Sequence, residues 1–285
     1  MKPAPFAYTR AETVEGALDL LAEHGDEARV LAGGQSLVPL MNMRRVRPSV
    51  VVDISRVGGL SGVAADDGRL RVGALVTQYE LERRGGIDAA LAECLPYTGH
   101  YVTRHRGTIG GSIAHAEPRG ELALTLLTLG GSARVRSRSG EREIPAEELF
   151  LGAYETSLTP DELIVETLWP LAGDGEGHAF VELAQRHGDF TLVCAACSVR
   201  VEHDQIRSAR VGVGAVAERP LLVPEATRAL EGATPGEDAA RCAGEATTDA
   251  ITGYDDLHAS AAYRRRLAGV LVAQAVRRAL ERADG

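Results

Sequence analysis

The sequence predicts an α+β protein made of two N-terminal units, residues 1–56 and 57–172, and a C-terminal domain, residues 177–285. Three observations carry that expectation. The segment Ala172-Gly173-Asp174-Gly175-Glu176-Gly177 is rich in glycine and acid and follows an apolar run, which is the composition of an interdomain linker. Beyond it, FVELAQR, TLVCAACSVRVE and ARVGVGAVAE are strand-like runs suited to a three-stranded antiparallel sheet, and the remainder of the chain reads as a helical bundle. Before it, a small βαβ-like opening ends at Gly58-Gly59, after which the pattern becomes mixed α+β.

In the first unit Thr13 is suited to cap a helix whose apolar stripe is Ala17, Leu18, Leu20 and Leu21, and Gly25 stands where that helix should stop. A short strand to Ala32 follows, and Val50 to Ile54 makes a second, buried one. In the second unit RLRVGALVT, SARVRSRSG and LIVETLWP read as strands, with helices over Tyr79 to Arg84 and Glu121 to Leu129. Arg134, Arg136 and Arg138 alternate along one side of a strand, the pattern of an exposed edge guarded by charge, with a partner-docking face as the second reading. The last domain closes with helices over Pro224 to Leu230, Glu237 to Ile251 and Ser260 to Arg282. In the third of these, Leu267, Val270, Leu271 and Ala275 form an apolar stripe. Arg264-Arg265-Arg266 falls mostly on the other face, as a solvated or subunit-facing surface.

Composition narrows the function. At 285 residues and 45% hydrophobic, the chain can bury a substantial core. A formal charge of -9 argues against a nucleic-acid surface, which needs a clustered basic face. No stretch is long and apolar enough to span a membrane, and MKPAPFAYTR lacks the apolar centre of a signal peptide, so a cytoplasmic location is expected. Cys194 and Cys197 form a C-x-x-C inside a strand-like run, where residues three apart face opposite ways and cannot chelate one ion. With Cys94 and Cys242 isolated, all four read as small core residues, and the chain carries no iron–sulfur cluster of its own. The eight histidines lack the spacing of a helical zinc site, so no metal is expected. Ser112, His115 and Glu117 fall in one short loop without a G-x-S-x-G elbow, and no catalytic residue is expected.

Two glycine-rich runs about seventy residues apart hold the chemistry: LAGGQSLVPLMNMRR around Gly33-Gly34 and GTIGGSIAHAEP around Gly110-Gly111. Neither matches the dinucleotide or Walker patterns. Together they read as a pyrophosphate cradle. Side-chain-free corners let backbone N–H groups approach anionic oxygens, Ser36 and Ser112 add hydroxyl donors, and His115 is placed for a polar contact. The alternative is a pair of tight loops without a ligand.

AGGQSLVPLMNMR followed by VVDIS, then RGTIGGSIAHAEPRGE, then SAAYRRRLAGVLVAQAVRRAL resemble the FAD-binding medium subunit of molybdenum hydroxylases of the carbon monoxide dehydrogenase and xanthine dehydrogenase type. The resemblance runs from about Phe6 to the last helix. It implies FAD as cofactor, with its pyrophosphate held by Ala32, Gly33, Gly34, Gln35, Ser36 and Leu37 in the first run and by Thr108, Gly110, Gly111, Ser112 and His115 in the second. Glu121 matches an acid that meets the ribose, a role suited to a carboxylate accepting hydroxyl hydrogen bonds. Leu163-Ile164 aligns with an apolar pair at the flavin ring, and Arg186 and Phe190 stand where the family has a basic residue and an aromatic. Glu117 replaces a more usual aspartate, which puts the local loop geometry in question.

The resemblance further implies electron relay: oxidation of substrate at a molybdenum cofactor on a large partner subunit, passage through 2Fe-2S clusters on a small partner, and delivery by this flavin to an acceptor such as NAD, a quinone or oxygen. A dimer of such heterotrimers is the implied assembly. Other readings are a flavin-free scaffold or small-molecule sensor, a stand-alone reductase of the UDP-N-acetylenolpyruvoylglucosamine reductase type, and an oxidase of the vanillyl-alcohol type, which the length of the chain disfavours.

Overall fold

A computed structural model describes residues 1–284, so Gly285, the end of the third expected segment, lies outside the described residues. The first unit runs β1 (Ala7–Arg10), α1 (Val14–His24), β2 (Ala28–Leu31), α2 (Leu37–Asn42) and β3 (Val50–Asp53). Its strands form a wholly parallel sheet in the order β1-β3-β2. Helix α1 starts where expected: Thr13 Oγ1 accepts the Gly16 amide at 3.0 Å, and the helix ends at Gly25 with φ of +48°. Val50, Val51 and Val52 are all buried, which is how a central parallel strand covered on both faces should read.

The second unit runs β4 (Val63–Asp66), β5 (Arg69–Gly73), α3 (Gln78–Glu82), α4 (Ala89–Cys94), α5 (Tyr101–Arg104), α6 (Ile109–His115), α7 (Glu121–Leu129), β6 (Ser132–Ser137), β7 (Gly140–Pro145), α8 (Ala146–Leu149), β8 (Phe150–Gly152), β9 (Glu155–Thr156) and β10 (Leu163–Pro170). Its five-stranded sheet has the order β4-β5-β10-β6-β7. Helix α7 is apolar around most of its circumference and buried along its whole length, because it lies between this sheet and the next.

The C-terminal domain comprises β11 (Glu176–Ala184), β12 (Thr191–Glu202), β13 (Gln205–Gly214), β14 (Leu221–Leu222), α9 (Pro224–Leu230), α10 (Glu237–Ala250) and α11 (Ala261–Ala283). The three expected strands form its antiparallel sheet, extended at one edge by the two-residue β14. One face of that sheet joins the core around α7 and the other packs on α10 and α11. The two halves of the C-x-x-C motif accordingly part: Cys194 enters the first core and Cys197 the second.

Three expectations need correction. Strand β6 is not an edge, because it pairs with β10 on one side and β7 on the other. Its arginines instead meet acids: Arg134 reaches Glu166 at 2.9 Å, Arg136 reaches Glu15 at 3.1 Å, and Arg138 reaches Asp19 at 3.2 Å. Since Glu15 and Asp19 belong to α1, the row fastens the first unit to the second. Arg264 is not at the surface. It is fully buried, donates to the Ala215 carbonyl at 3.1 Å and pairs with Asp256 at 2.7 Å, so it ties α11 to the loop before it. Val270, expected in the apolar stripe, faces outward, while Leu271 and Ala275 are buried.

Candidate flavin site

The carboxyl ends of β2 and β3 open on a cleft of about 460 Å³, bounded by Gly33, Gly34, Val38, Pro39, Asp53 and Arg106. Such a position is where open parallel sheets take ligands. The loop from Ala32 to Ser36 forms one wall. A Cβ on Gly33 would stand 1.8 Å from the Arg106 carbonyl oxygen, so only glycine lets this loop lie against the backbone just ahead of the second motif. Gly34 adopts φ of +74° in the left-handed region. The first loop amide to find an acceptor is that of Val38, which donates to the Gly34 carbonyl at 3.1 Å. Among the described residues the amides of Gly33, Gly34, Gln35, Ser36 and Leu37 have no protein acceptor, and the Ser36 hydroxyl makes no capping bond. A run of unpaired N–H groups at the end of a strand is an anion-binding concavity, and it fits the pyrophosphate of FAD.

The second motif is built differently from the expected turn. Gly110 and Gly111 belong to the first turn of α6, and Ser112 and His115 are on the same helix rather than in a loop. The amides that open this helix are already bonded: Ile109 to the Val76 carbonyl at 2.9 Å, Gly110 to Ala74 at 3.0 Å, Gly111 to the Thr108 hydroxyl at 3.1 Å and Ser112 to the Thr108 carbonyl at 3.0 Å. The glycines here serve close packing, since a Cβ on Gly110 would stand 2.5 Å from that of Ala74. What α6 offers a ligand is its bare surface at Gly111 and the Ser112 hydroxyl. Gln78 Nε2 donates to Ser112 Oγ at 2.8 Å, which leaves the serine proton free to point elsewhere.

At the other end of α6, His115 lies 5.1 Å from the Tyr154 ring, centroid to centroid. Burial lowers its pKa, against a smaller opposing effect of Glu117, so it is neutral at physiological pH. Glu117 turns aside from the glycine motif to accept from Tyr154 Oη at 2.9 Å and to pair with Arg119 at 3.3 Å. Arg119 in turn stacks 4.1 Å over the Phe190 ring. The structure thus links His115 to Phe190 through Tyr154, Glu117 and Arg119, three residues that the sequence did not single out for such a role. Arg186 is not gathered there: its side chain is 83% exposed and held by Asp189 at 2.8 Å. Ile164 is buried in the core beneath α6, and Leu163 faces the core of the first unit.

Glu121 opens α7 and is buried. Beside it Glu182, on β11, has both carboxyl oxygens enclosed without a hydrogen-bond partner. Burial pushes both acids above neutrality, with Glu117 adding to the effect on Glu121 and Glu121 adding to that on Glu182. Both shifts favour the protonated acid near neutrality, and a protonated Glu121 could donate one hydrogen bond. Asp53 is the contrasting case. Burial alone would raise its pKa, but bonds from the Tyr8 hydroxyl and the Ser55 amide, with Arg10 3.6 Å away, hold it below the ordinary carboxylate range. Asp53 and Ser55 stood in the VVDIS run without an assigned role, whereas nothing in the local sequence marked Gln78, Arg106 or Glu182.

The FAD-binding domain of molybdopterin dehydrogenases matches residues 4–172, and the C-terminal domain of carbon monoxide dehydrogenase flavoproteins matches residues 178–279. The chain belongs to this molybdenum hydroxylase flavoprotein family. It is 38% identical to subunit alpha of the 6-hydroxypseudooxynicotine dehydrogenase complex of Paenarthrobacter nicotinovorans, over 99% of this chain and 97% of that one. Among solved structures it superposes on a chain of carbon monoxide dehydrogenase from Hydrogenophaga pseudoflava with a TM-score of 0.94 and 30% identity, covering 99% of both. Quinoline 2-oxidoreductase from Pseudomonas putida 86 gives 0.89 and 32%, over 100% of this chain and 99% of that one. Members of this flavoprotein family are FAD-binding subunits of multi-subunit dehydrogenases. No helix among the described residues is long and apolar enough to cross a membrane.

Proposed function

We propose that this chain is the electron-transfer subunit of a cytoplasmic molybdenum dehydrogenase, working with a small iron–sulfur subunit and a large molybdenum-cofactor subunit in a heterotrimer that can pair into a dimer. It takes electrons from the partner's clusters and passes them to an external acceptor such as NAD or a quinone. The observation that carries the cofactor assignment is the row of unpaired amides from Gly33 to Leu37 facing a cleft at the strand ends. FAD, when bound, supplies reversible storage of one or two electrons, the chemistry required where single-electron carriers meet a two-electron acceptor.

The residues of the chain bind, orient and shield. Ala32 to Leu37 hold the pyrophosphate from one side. Thr108, Gly110, Gly111 and Ser112 present the packed surface and the Ser112 hydroxyl on the other, and neutral His115 adds a polar contact. Protonated Glu121 bonds the ribose without placing a charge in a buried site, and Ile164 backs the ring. Phe190, stacked on Arg119, and the exposed Arg186, held by Asp189, supply the aromatic and the basic residue on the segment after β11. No side chain is required as nucleophile or general base.

The purified chain is expected to show flavin absorption bands and to release FAD on heat denaturation. A colourless protein that takes up no added FAD removes the assignment. Reduction of the assembled enzyme by its substrate, followed by mixing with NAD, a quinone or oxygen in turn, identifies the acceptor.

A further inference from the structure

On the reading that the cleft holds FAD, we propose that Arg106 grips the phosphate of the adenylate half and makes the site select the dinucleotide over FMN. Arg106 borders the cleft, yet among the described residues its guanidinium has neither an ion pair nor a hydrogen bond. Its backbone is fixed on both sides. The Arg106 amide donates to the Thr103 carbonyl at 3.0 Å, and its own carbonyl lies against Gly33, where a Cβ would come within 1.8 Å. The side chain is therefore anchored opposite the unpaired amides of the first loop, and the two walls present positive potential to one space.

The acid in that space does not cancel it. Asp53 is ionised, but its charge is offset by Arg10 3.6 Å away, and its oxygens are occupied by the Tyr8 hydroxyl and by the Ser55 amide at 2.8 Å. Leu31, Val38 and Pro39 also line the cleft and offer apolar contact to a nucleobase. A cation, bare amides and an apolar wall at the end of parallel strands together describe an adenylate site. FMN, which lacks the adenylate and its phosphate, leaves this end of the cleft unfilled and gains less from the arginine than FAD does.

The test compares the full chain, freed of flavin, with Arg106→Gln and Arg106→Lys for affinity toward FAD, FMN and ADP at two salt concentrations. A charge-assisted bond of ordinary strength corresponds to roughly tenfold in affinity. Arg106→Gln is expected to bind FAD and ADP about tenfold more weakly, to weaken FMN by clearly less, and to flatten the salt dependence of FAD binding. Arg106→Lys should recover part of the loss. Equal weakening of FAD and FMN, or no change in FAD affinity, overturns the proposal. A parent chain that binds none of the three removes the FAD reading itself. Circular dichroism of each variant identifies any loss of fold, and Arg106→Lys retains the test if Arg106→Gln is perturbed.

Discussion

Replacing Gly33 by alanine places a methyl group 1.8 Å from the Arg106 carbonyl oxygen and 2.7 Å from its carbon. Side-chain carbons do not approach other atoms closer than 3.0 Å, so the loop must retreat by at least the difference from 1.8 Å, which is 1.2 Å. The obstacle is backbone, pinned by the Arg106 and Gly107 amides to the Thr103 carbonyl at 3.0 and 2.7 Å, and it cannot rotate away as a side chain would. Overpacking of this kind costs about 1–3 kcal/mol, which lowers Tm by roughly 2–12 °C in a chain of this size. The retreat also carries the unpaired amides out of line with the phosphates. Losing two amide-to-phosphate bonds at about 1.5 kcal/mol each weakens FAD by a factor of about 100. Calorimetry and the ratio of flavin to protein absorbance measure the two effects. Gly85→Ala is the control, because nothing lies within 4 Å of a Cβ there and its φ is ordinary. If Gly33→Ala retains the parent's FAD content and Tm, the two motifs are not pressed together as described.

The protonated pair Glu121 and Glu182 gives a second expectation. The folded chain holds protons that the unfolded chain has released, so the unfolding free energy of the flavin-free protein falls as pH rises from the ordinary carboxylate range through neutrality. Glu182→Gln should flatten that slope in urea titrations between about pH 5 and 8, and a slope equal to the parent's would refute the sharing of protons. Burial pushes the thiols of Cys94 and Cys194 up and that of Cys197 to about 12, while Cys242 alone is part-exposed. A thiol reagent should therefore modify Cys242 in the native chain and the other three only on unfolding; rapid reaction of more than one thiol would contradict the burial. Arg136→Ala with Arg138→Ala removes two exposed ion pairs to α1 and should lower stability only slightly, without altering subunit copurification. Loss of copurification would instead make that row a docking face.

Local signals in the sequence located what is locally determined. Thr13 and Gly25 bounded α1, the leucine-rich run from Glu121 to Leu129 gave α7 to the residue, and period-two geometry separated Cys194 from Cys197. Strand β1 escaped because four largely exposed residues carry no apolar alternation and become a strand only by pairing with β3. The edge assignment of β6 failed because sheet order is a long-range property: neither β7 nor β10 is visible from the spacing of Arg134, Arg136 and Arg138. The same limit governed the site. Both glycine motifs could be found as words, but the unbonded amides of one and the bonded amides of the other depend on Val76 and Ala74, which the words do not contain. Glu182 read as an ordinary strand residue until the fold set it beside Glu121.

The contact between Gly33 and Arg106 also fixes an order of events. The two residues are separated by more than seventy positions, so the first motif leaves the ribosome long before the backbone that supports it. Closing a loop of that length is slow compared with forming the helices inside it. The parallel three-stranded sheet can therefore be complete while its anion-binding loop is still unsupported, and cofactor capture waits for the second unit to dock. Flavin content is therefore expected to report on the docking of the two units as well as on the loop itself.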